Sequence, residues 1–312
     1  MKHRLLLGAL AFLFVSVPLT TRAEGTVDRD LQTRPKSSLA FGGMERSFVV
    51  RAPVNRASDT QRVPLVIVLH GGGGNAANVE QMTGFTEKAR QEGFIVAYPE
   101  GTGRLQRALL TWNAGHCCGY AMQQRVDDVG FIRALIDELV RTYPVDPSRI
   151  YATGMSNGGM MAHRLGIELS DRLAAIAPVV ATVFGDEKKP AQPVSALMIN
   201  GMLDRNVPHQ GGPPGGRGAN AWDDSPTRPA LEQAKFWASV NGCKEHPLED
   251  ADDRRTRWSY ACPSGRAVEL VLLNDNGHAW PGGQRGSRRG DEPSSALNAT
   301  DAIWEFFEAH GK

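Results

Sequence analysis

Two hydrophobic periodicities alternate along this chain. Leu65-Val66-Ile67-Val68-Leu69 and Phe94-Ile95-Val96-Ala97-Tyr98 are unbroken apolar runs punctuated by proline and glycine. That is the pattern of strands buried on both faces, as in a mostly parallel sheet. The stretches at Ile150, Ala174 to Val180, Ala196 to Ile199 and Val268 to Leu273 also read as strands, and Arg46 to Arg51 alternates around Phe48 and Val50 as a strand would. Between them the spacing becomes helical. Met82, Phe85 and Ala89 share a face in Asn78 to Glu92, and Val129, Ile132, Ile136, Leu139, Val140 and Tyr143 form one stripe from Asp127 onward. Met160 to Leu169, Leu231 to Val240 and Thr300 to Ala309 are the remaining helical segments, the last with Ile303, Trp304 and Phe307 inward. Asp127 or Asp128 suits the N-cap of its helix. Asn298 suits the cap of the last one, a simpler reading than glycosylation of Asn298-Ala299-Thr300.

Strand and helix alternate without a compositional break or a repeat, which predicts one α/β domain over residues 41–312. Three segments fall outside the alternation. Residues 1–23 have a basic start (Lys2, His3, Arg4), an apolar run from Leu5 to Val17 and a small-x-small site at Thr21-Arg22-Ala23, the features of a secretory signal. The apolar run is shorter than the about 20 residues a bilayer span needs, so the expectation is a secreted or periplasmic protein without stable membrane insertion. Residues 24–40 are polar and aperiodic, as in a loose leader. Gln210 to Pro229, rich in glycine and proline, reads equally as a surface loop or as a flap over a cleft.

Charge narrows the function classes. With 35 basic against 34 acidic residues the net charge is +1, which gives no attraction to nucleic acid or acidic membranes. The four cysteines of an exported chain are expected in disulfides. Cys243 and Cys262 flank the charged, loop-like segment Lys244 to Trp258 and are expected to pair, while adjacent Cys117 and Cys118 either bond to each other or stay thiols. His116-Cys117-Cys118 is a poor metal site, because adjacent cysteines do not easily take two corners of a tetrahedron and no second Cys/His cluster accompanies them. No metal or organic cofactor is expected.

The chemistry concentrates at Gly154-Met155-Ser156-Asn157-Gly158. Gly-x-Ser-x-Gly between a strand and a helix is the pattern of a nucleophile elbow, whose glycines leave room for a sharp turn that presents the serine hydroxyl. A serine needs a base to take its proton, and the base needs an acid to fix its tautomer. In α/β-hydrolases these follow in the order Ser, acid, His on loops after strands. Asp204 follows the strand ending at Ile199 and His278 the strand ending at Leu273, so Ser156, Asp204 and His278 are the expected triad. Asp223, Asp224 and Asp275 are weaker acids for the role by position, and His209 and His163 weaker bases. Oxyanion donors are expected from the backbone of Asn157 and from the glycine run after His70, with Gly72 named and Gly71 and Gly73 left open. That run lacks the Gly-Lys-Ser/Thr ending of a phosphate-binding loop. His70 is expected to brace the loop.

These pieces resemble the secreted esterases of the polyhydroxybutyrate depolymerase and feruloyl esterase group, within carbohydrate esterase family 1. The resemblance is carried by Leu69-His70-Gly71, Ala97-Tyr98-Pro99-Glu100-Gly101, Trp112-Asn113-Ala114-Gly115-His116-Cys117-Cys118-Gly119, Val126-Asp127-Asp128-Val129, the elbow, and Gly277-His278-Ala279-Trp280-Pro281-Gly282, in order over about residues 45–310. It implies an α/β-hydrolase fold and the same triad. It also implies an ester substrate: a hydroxycinnamate ester of plant polysaccharide or, alternatively, an oligo- or poly(3-hydroxybutyrate). Trp112 and Trp280 are candidate aromatic walls for the substrate, with core packing the competing reading. A glycan- or polyester-binding protein that keeps the fold without catalysis is the reading from another class, and it would be expected to lack a triad member.

Overall fold

The computed structural model describes residues 31–33, 36–54, 61–105 and 108–312, so the expected signal over residues 1–23 lies outside the described residues. The chain enters through β1 (Leu31–Thr33), β2 (Ser37–Phe41), β3 (Met44–Pro53) and β4 (Val63–Leu69). Next come α1 (Ala76–Thr83), α2 (Phe85–Glu92) and β5 (Ile95–Pro99), then α3 (Gly119–Gln123), α4 (Asp128–Thr142) and β6 (Val145–Met155). The second half adds α5 (Asn157–Glu168), β7 (Ala175–Val179), β8 (Ser195–Gly201), α6 (Ala230–Val240), β9 (Leu248–Ala251), β10 (Arg255–Ala261), β11 (Ala267–Leu273) and α7 (Ala299–Ala309).

Among the described residues the strands form one sheet in the order β1-β3-β5-β4-β6-β7-β8-β11-β10-β9, with β2 paired to β3. From β5 to β11 neighbouring strands are parallel, and antiparallel strands finish both edges. The continuous apolar runs follow from this. Leu65, Ile67 and Leu69 of β4 pack into the core beneath α4, α5 and α6, while Val66 and Val68 face the core beneath α1, α2 and α7. A strand covered on both faces has no polar side to show. All five side chains are fully buried, each worth about 1.5–3 kcal/mol relative to exposure. Both caps named from sequence have clear geometry: Asp127 accepts from Gly130 N at 2.8 Å, and Asn298 accepts from Thr300 N and Asp301 N. Asp128 is the first residue inside α4, with a different task described below.

The structure departs from the sequence reading in three places. The helix expected over residues 78–92 breaks at Gly84, whose φ of 70° closes α1 and opens α2. Residues 31–33 and 37–40, expected in a loose leader, belong to short edge strands, β1 and β2, that pair with β3. The segment Lys244 to Trp258 is no free loop, since it contains β9 and the start of β10, antiparallel partners at the opposite edge.

Cys243, just after α6, is bonded to Cys262, just after β10, and Cys117 is bonded to Cys118 across a cis peptide. The glycine- and proline-rich segment is tied down. Gly212 and Thr227 exchange backbone bonds, and Trp222 bridges to Cys117. No described helix is long and apolar enough to cross a membrane.

Candidate active site

Ser156 occupies the junction of β6 and α5 with φ 57° and ψ −125°, an unusual backbone for a residue with a Cβ. Its amide donates to Val179 O at 2.9 Å, pinning the turn to β7. The glycines around it are required by contact. A Cβ on Gly154 would lie 2.7 Å from both Leu69 O and Gly158 backbone atoms, and one on Gly158 would lie 2.5 Å from His70 O. A Cβ on Gly159 would meet Gly154 O at 2.9 Å. The elbow is therefore packed directly on the end of β4 and the start of the glycine loop.

Asp204 and His278 come from the loops after β8 and β11, parallel neighbours in the sheet. His278 Nδ1 lies 2.8 Å from Asp204 Oδ2. Since a carboxylate only accepts, the neutral imidazole carries its hydrogen on Nδ1 and its lone pair on Nε2. The Asp204 carboxylate is buried while the imidazole remains partly open. Its other oxygen, Oδ1, accepts from Asn206 N at 2.8 Å and Val207 N at 2.9 Å, so the group is held rigidly. The weaker candidates have other partners. Asp223 bonds His116, and Asp275 accepts from Ser294 Oγ. His163 is buried between Gln233 and Trp237, and burial pushes its pKa down to about 3.

The glycine loop runs against the elbow. Positions for a Cβ on Gly71 and Gly72 lie 3.7 Å from Ser156 Cβ and Asn157 Cβ. Gly73 N donates to Leu110 O at 2.7 Å, which removes that amide from the three left open by the sequence. His70 braces the loop. Its Nε2 accepts from Gly101 N at 3.0 Å, so Nδ1 holds the hydrogen and donates to Gly71 O at 2.8 Å. Burial lowers the His70 pKa to about 4 despite the bond to Gly71, which keeps the ring neutral in this bridging role.

Neither tryptophan is a substrate wall. Trp112 and Trp280 are fully buried and use their indole N–H groups inside the protein, on His70 O and Thr300 Oγ1, both at 3.0 Å. Burying an indole with its N–H satisfied is a core solution.

Several residues have supporting roles that motif reading did not assign. The Asn157 side chain accepts from Trp112 N at 2.7 Å and donates to Trp112 O at 3.0 Å. Asp128 is buried, paired with Arg46 at 2.6 Å, and accepts from Asn113 N at 2.8 Å. Desolvation raises its pKa, opposed by the Arg46 charge. Asn276 is buried and braces the histidine loop by donating to Gly277 O and Ala279 O, and Asp291 accepts from His278 N at 2.7 Å. The Val-Asp-Asp-Val stretch carried a signal for Asp128. Asn276 and Asp291 had none, since their roles arise only when loops distant from their strands meet.

The comparisons fit this geometry. Residues 47–207 match the family model described as esterase PHB depolymerase. Feruloyl esterase B of Piromyces equi is 33% identical over 249 residues, covering 77% of this chain and 44% of that protein. Poly(3-hydroxybutyrate) depolymerase of Ralstonia pickettii is 31% identical over 123 residues, 36% of this chain and 24% of that one. The chain thus spans less than half the length of either relative. In fold, the acetyl xylan esterase from Aspergillus awamori superposes with a TM-score of 0.61 at 14% identity, over 88% of this chain and all of that one. From the β3 strand through the elbow to the Asp204 loop, the chain belongs to the esterase PHB depolymerase family.

Proposed function

We propose that this protein is a serine carboxylic-ester hydrolase that works through a covalent acyl-enzyme. The observation that carries the reading is the 2.8 Å His278–Asp204 bond beyond the C-terminal ends of β8 and β11, the end of the parallel sheet at which β6 also delivers the Ser156 elbow. His278 Nε2 takes the Ser156 proton as the oxygen attacks the ester carbonyl, and Asp204 stabilises the imidazolium formed. The amides of Asn157 and Gly72 receive the oxyanion. The tetrahedral intermediate collapses as His278 protonates the leaving alcohol. Water, deprotonated by the same imidazole, then attacks the acyl-enzyme, and the imidazolium returns that proton to the Ser156 oxygen as the acid leaves.

The preferred substrate is a hydroxycinnamate ester of a plant polysaccharide, with a short 3-hydroxybutyrate ester as the alternative. The relatives named as feruloyl esterase and as poly(3-hydroxybutyrate) depolymerase support both. An aromatic acyl group is favoured by half-buried Phe184 and Trp222, packed edge to face at 5.9 Å. Trp222 bridges to Cys117, whose Sγ is 3.7 Å from Asn157 Nδ2, so this pair borders the elbow from the side of the tied-down 210–229 segment. The two disulfides fit a secreted or periplasmic workplace.

Turnover of p-nitrophenyl acetate should vanish in Ser156→Ala with an unchanged melting temperature. A non-catalytic binding protein would instead show no wild-type turnover. Methyl ferulate should be hydrolysed faster than hydroxybutyrate oligomers, and the opposite ranking would shift the assignment to the polyester. Inactivity on both, with an intact fold, would sink both substrates.

A further inference from the structure

Resting on the ester-hydrolase reading above, we propose that Trp112 is a positioning residue that fixes both oxyanion donors at once. The two donors belong to separate segments, the start of α5 and the glycine loop after β4. Both are fastened to the same three residues, Leu110 to Trp112. On the elbow side, the Asn157 carboxamide pairs with the Trp112 peptide as a neighbouring strand would, N–H to Oδ1 at 2.7 Å and Nδ2 to carbonyl at 3.0 Å. On the loop side, the Trp112 indole donates to His70 O at 3.0 Å, and Leu110 O accepts from Gly73 N at 2.7 Å. These two bonds lie on either side of Gly71-Gly72, so the proposed donor Gly72 is suspended between anchors on one rigid support.

The support is itself immobilised. The Trp112 ring lies 5.0 Å from the His70 ring and is fully buried. The next residue, Asn113, donates its N–H to Asp128, which is held by the buried Arg46. Burial turns each of these bonds into a positional constraint, because breaking one leaves a polar group without water. An oxyanion site works when its donors are already placed where charge develops. A strut shared by both donors sets the distance between them, which neither segment could do alone.

The test is Trp112→Phe, which keeps an aromatic core residue and deletes the indole N–H. Three quantities are compared with wild type at a temperature where both are folded: kcat and KM for p-nitrophenyl acetate, and affinity for phenylboronic acid. In the boronic acid adduct the Ser156 oxygen bonds to boron, its proton passes to His278, and the tetrahedral oxygen occupies the oxyanion site. Expected is a fall of about tenfold or more in kcat with KM within about twofold, and boronate affinity weakened by the same factor, because misplaced donors cost transition-state rather than ground-state binding. A loss of melting temperature with kcat and boronate affinity intact would overturn the proposal, leaving Trp112 as mere packing. A raised KM with kcat retained would also overturn it and restore the substrate-wall role. Should Trp112→Phe not fold, Asn157→Ala is read by the same criteria, since it keeps the backbone donor and adds no charge while removing the side-chain bonds to Trp112 N, Trp112 O and Cys117 Sγ. Failure of the underlying reading has a different signature, full ester turnover in Ser156→Ala.

Discussion

Asp204 meets His278 with one carboxylate oxygen at 2.8 Å while its second oxygen is claimed by the amides of Asn206 and Val207. This arrangement fixes the outcome of Asp204→Asn. The two backbone donors will hold the carboxamide oxygen, so its NH2 must face His278 Nδ1. The imidazole then has to accept at Nδ1 and carry its hydrogen on Nε2, the tautomer that cannot take a proton from Ser156. A fall in kcat of about 10⁴-fold is expected, the size of the equivalent change in a serine protease triad. Melting should shift little, because the exchange is isosteric. Retained activity would remove Asp204 from the triad.

The glycines of the elbow and of the loop after His70 differ in what they tolerate. A Cβ on Gly158 would stand 2.5 Å from His70 O, where only backbone could yield, whereas one on Gly72 would make ordinary contact with Asn157 Cβ at 3.7 Å. Gly158→Ala is therefore expected to destabilise by about 1–3 kcal/mol, the range for overpacked sites, and to lose most turnover as the His70 segment moves. Gly72→Ala should melt like wild type. Thermal unfolding of the two variants, followed by ester assay, checks the contrast.

The buried pair Arg46–Asp128 supports the same region from below. Arg46 Nη2 bonds Asp128 at 2.6 Å and Glu100 O at 3.2 Å, and its guanidinium lies 4.0 Å from the centre of the Phe131 ring. Arg46→Ala leaves the Asp128 charge buried and unpaired, a change that costs about 3–5 kcal/mol in comparable sites. Replacing both partners with apolar residues should recover only part of the loss, because Asn113 N would still lack its acceptor. Chemical denaturation of the single and double variants measures this.

What could be read from sequence follows a physical rule. Strands β4, β5, β7 and β8 are buried on both faces, so burial wrote itself into apolar runs, and β11, partly exposed at Ala267, Glu269 and Leu272, is still mostly apolar. Asp204 and His278 could be named because each follows such a strand. The edge strands left no trace: β9 is exposed at all four positions, and β2 pairs with β3 through partly exposed residues. Trp112 and Trp280 misled for a related reason. A tryptophan in a motif does not disclose whether its N–H meets solvent, substrate or a carbonyl. Here His70 O and Thr300 Oγ1, 42 and 20 residues away, decide the matter.

The last expectation concerns pH and a contact no motif announced. His116 lies between two carboxylates, with Nδ1 at 2.8 Å from Asp223 and Nε2 at 2.9 Å from Asp186, and Ser225 Oγ also reaches Nδ1 at 2.9 Å. Carboxylates only accept, so satisfying both requires a hydrogen on each ring nitrogen, the imidazolium form. Partial burial pulls the imidazole pKa down, but the bonds to Asp186 and Asp223 and their charges outweigh it, and the net shift is upward. Asp223 is displaced the other way: its partial burial is outweighed by the bonds from Ser225 and His116, and its pKa falls. A histidine with a raised folded pKa stabilises fully below its unfolded value and loses that contribution as pH rises through the folded one. An aspartate with a lowered pKa loses its contribution as pH falls through its folded value. The clamp between the Cys117–Cys118 loop, the Asp186 segment and the 210–229 segment is therefore strongest in mildly acidic solution. His116→Gln should lower the melting temperature more at about pH 5.5 than at about pH 8.5, with the gap closing as pH rises from the ordinary histidine value through the raised folded one. Melting curves of variant and wild type that stay parallel over this range would show that the imidazolium does not hold the three segments together.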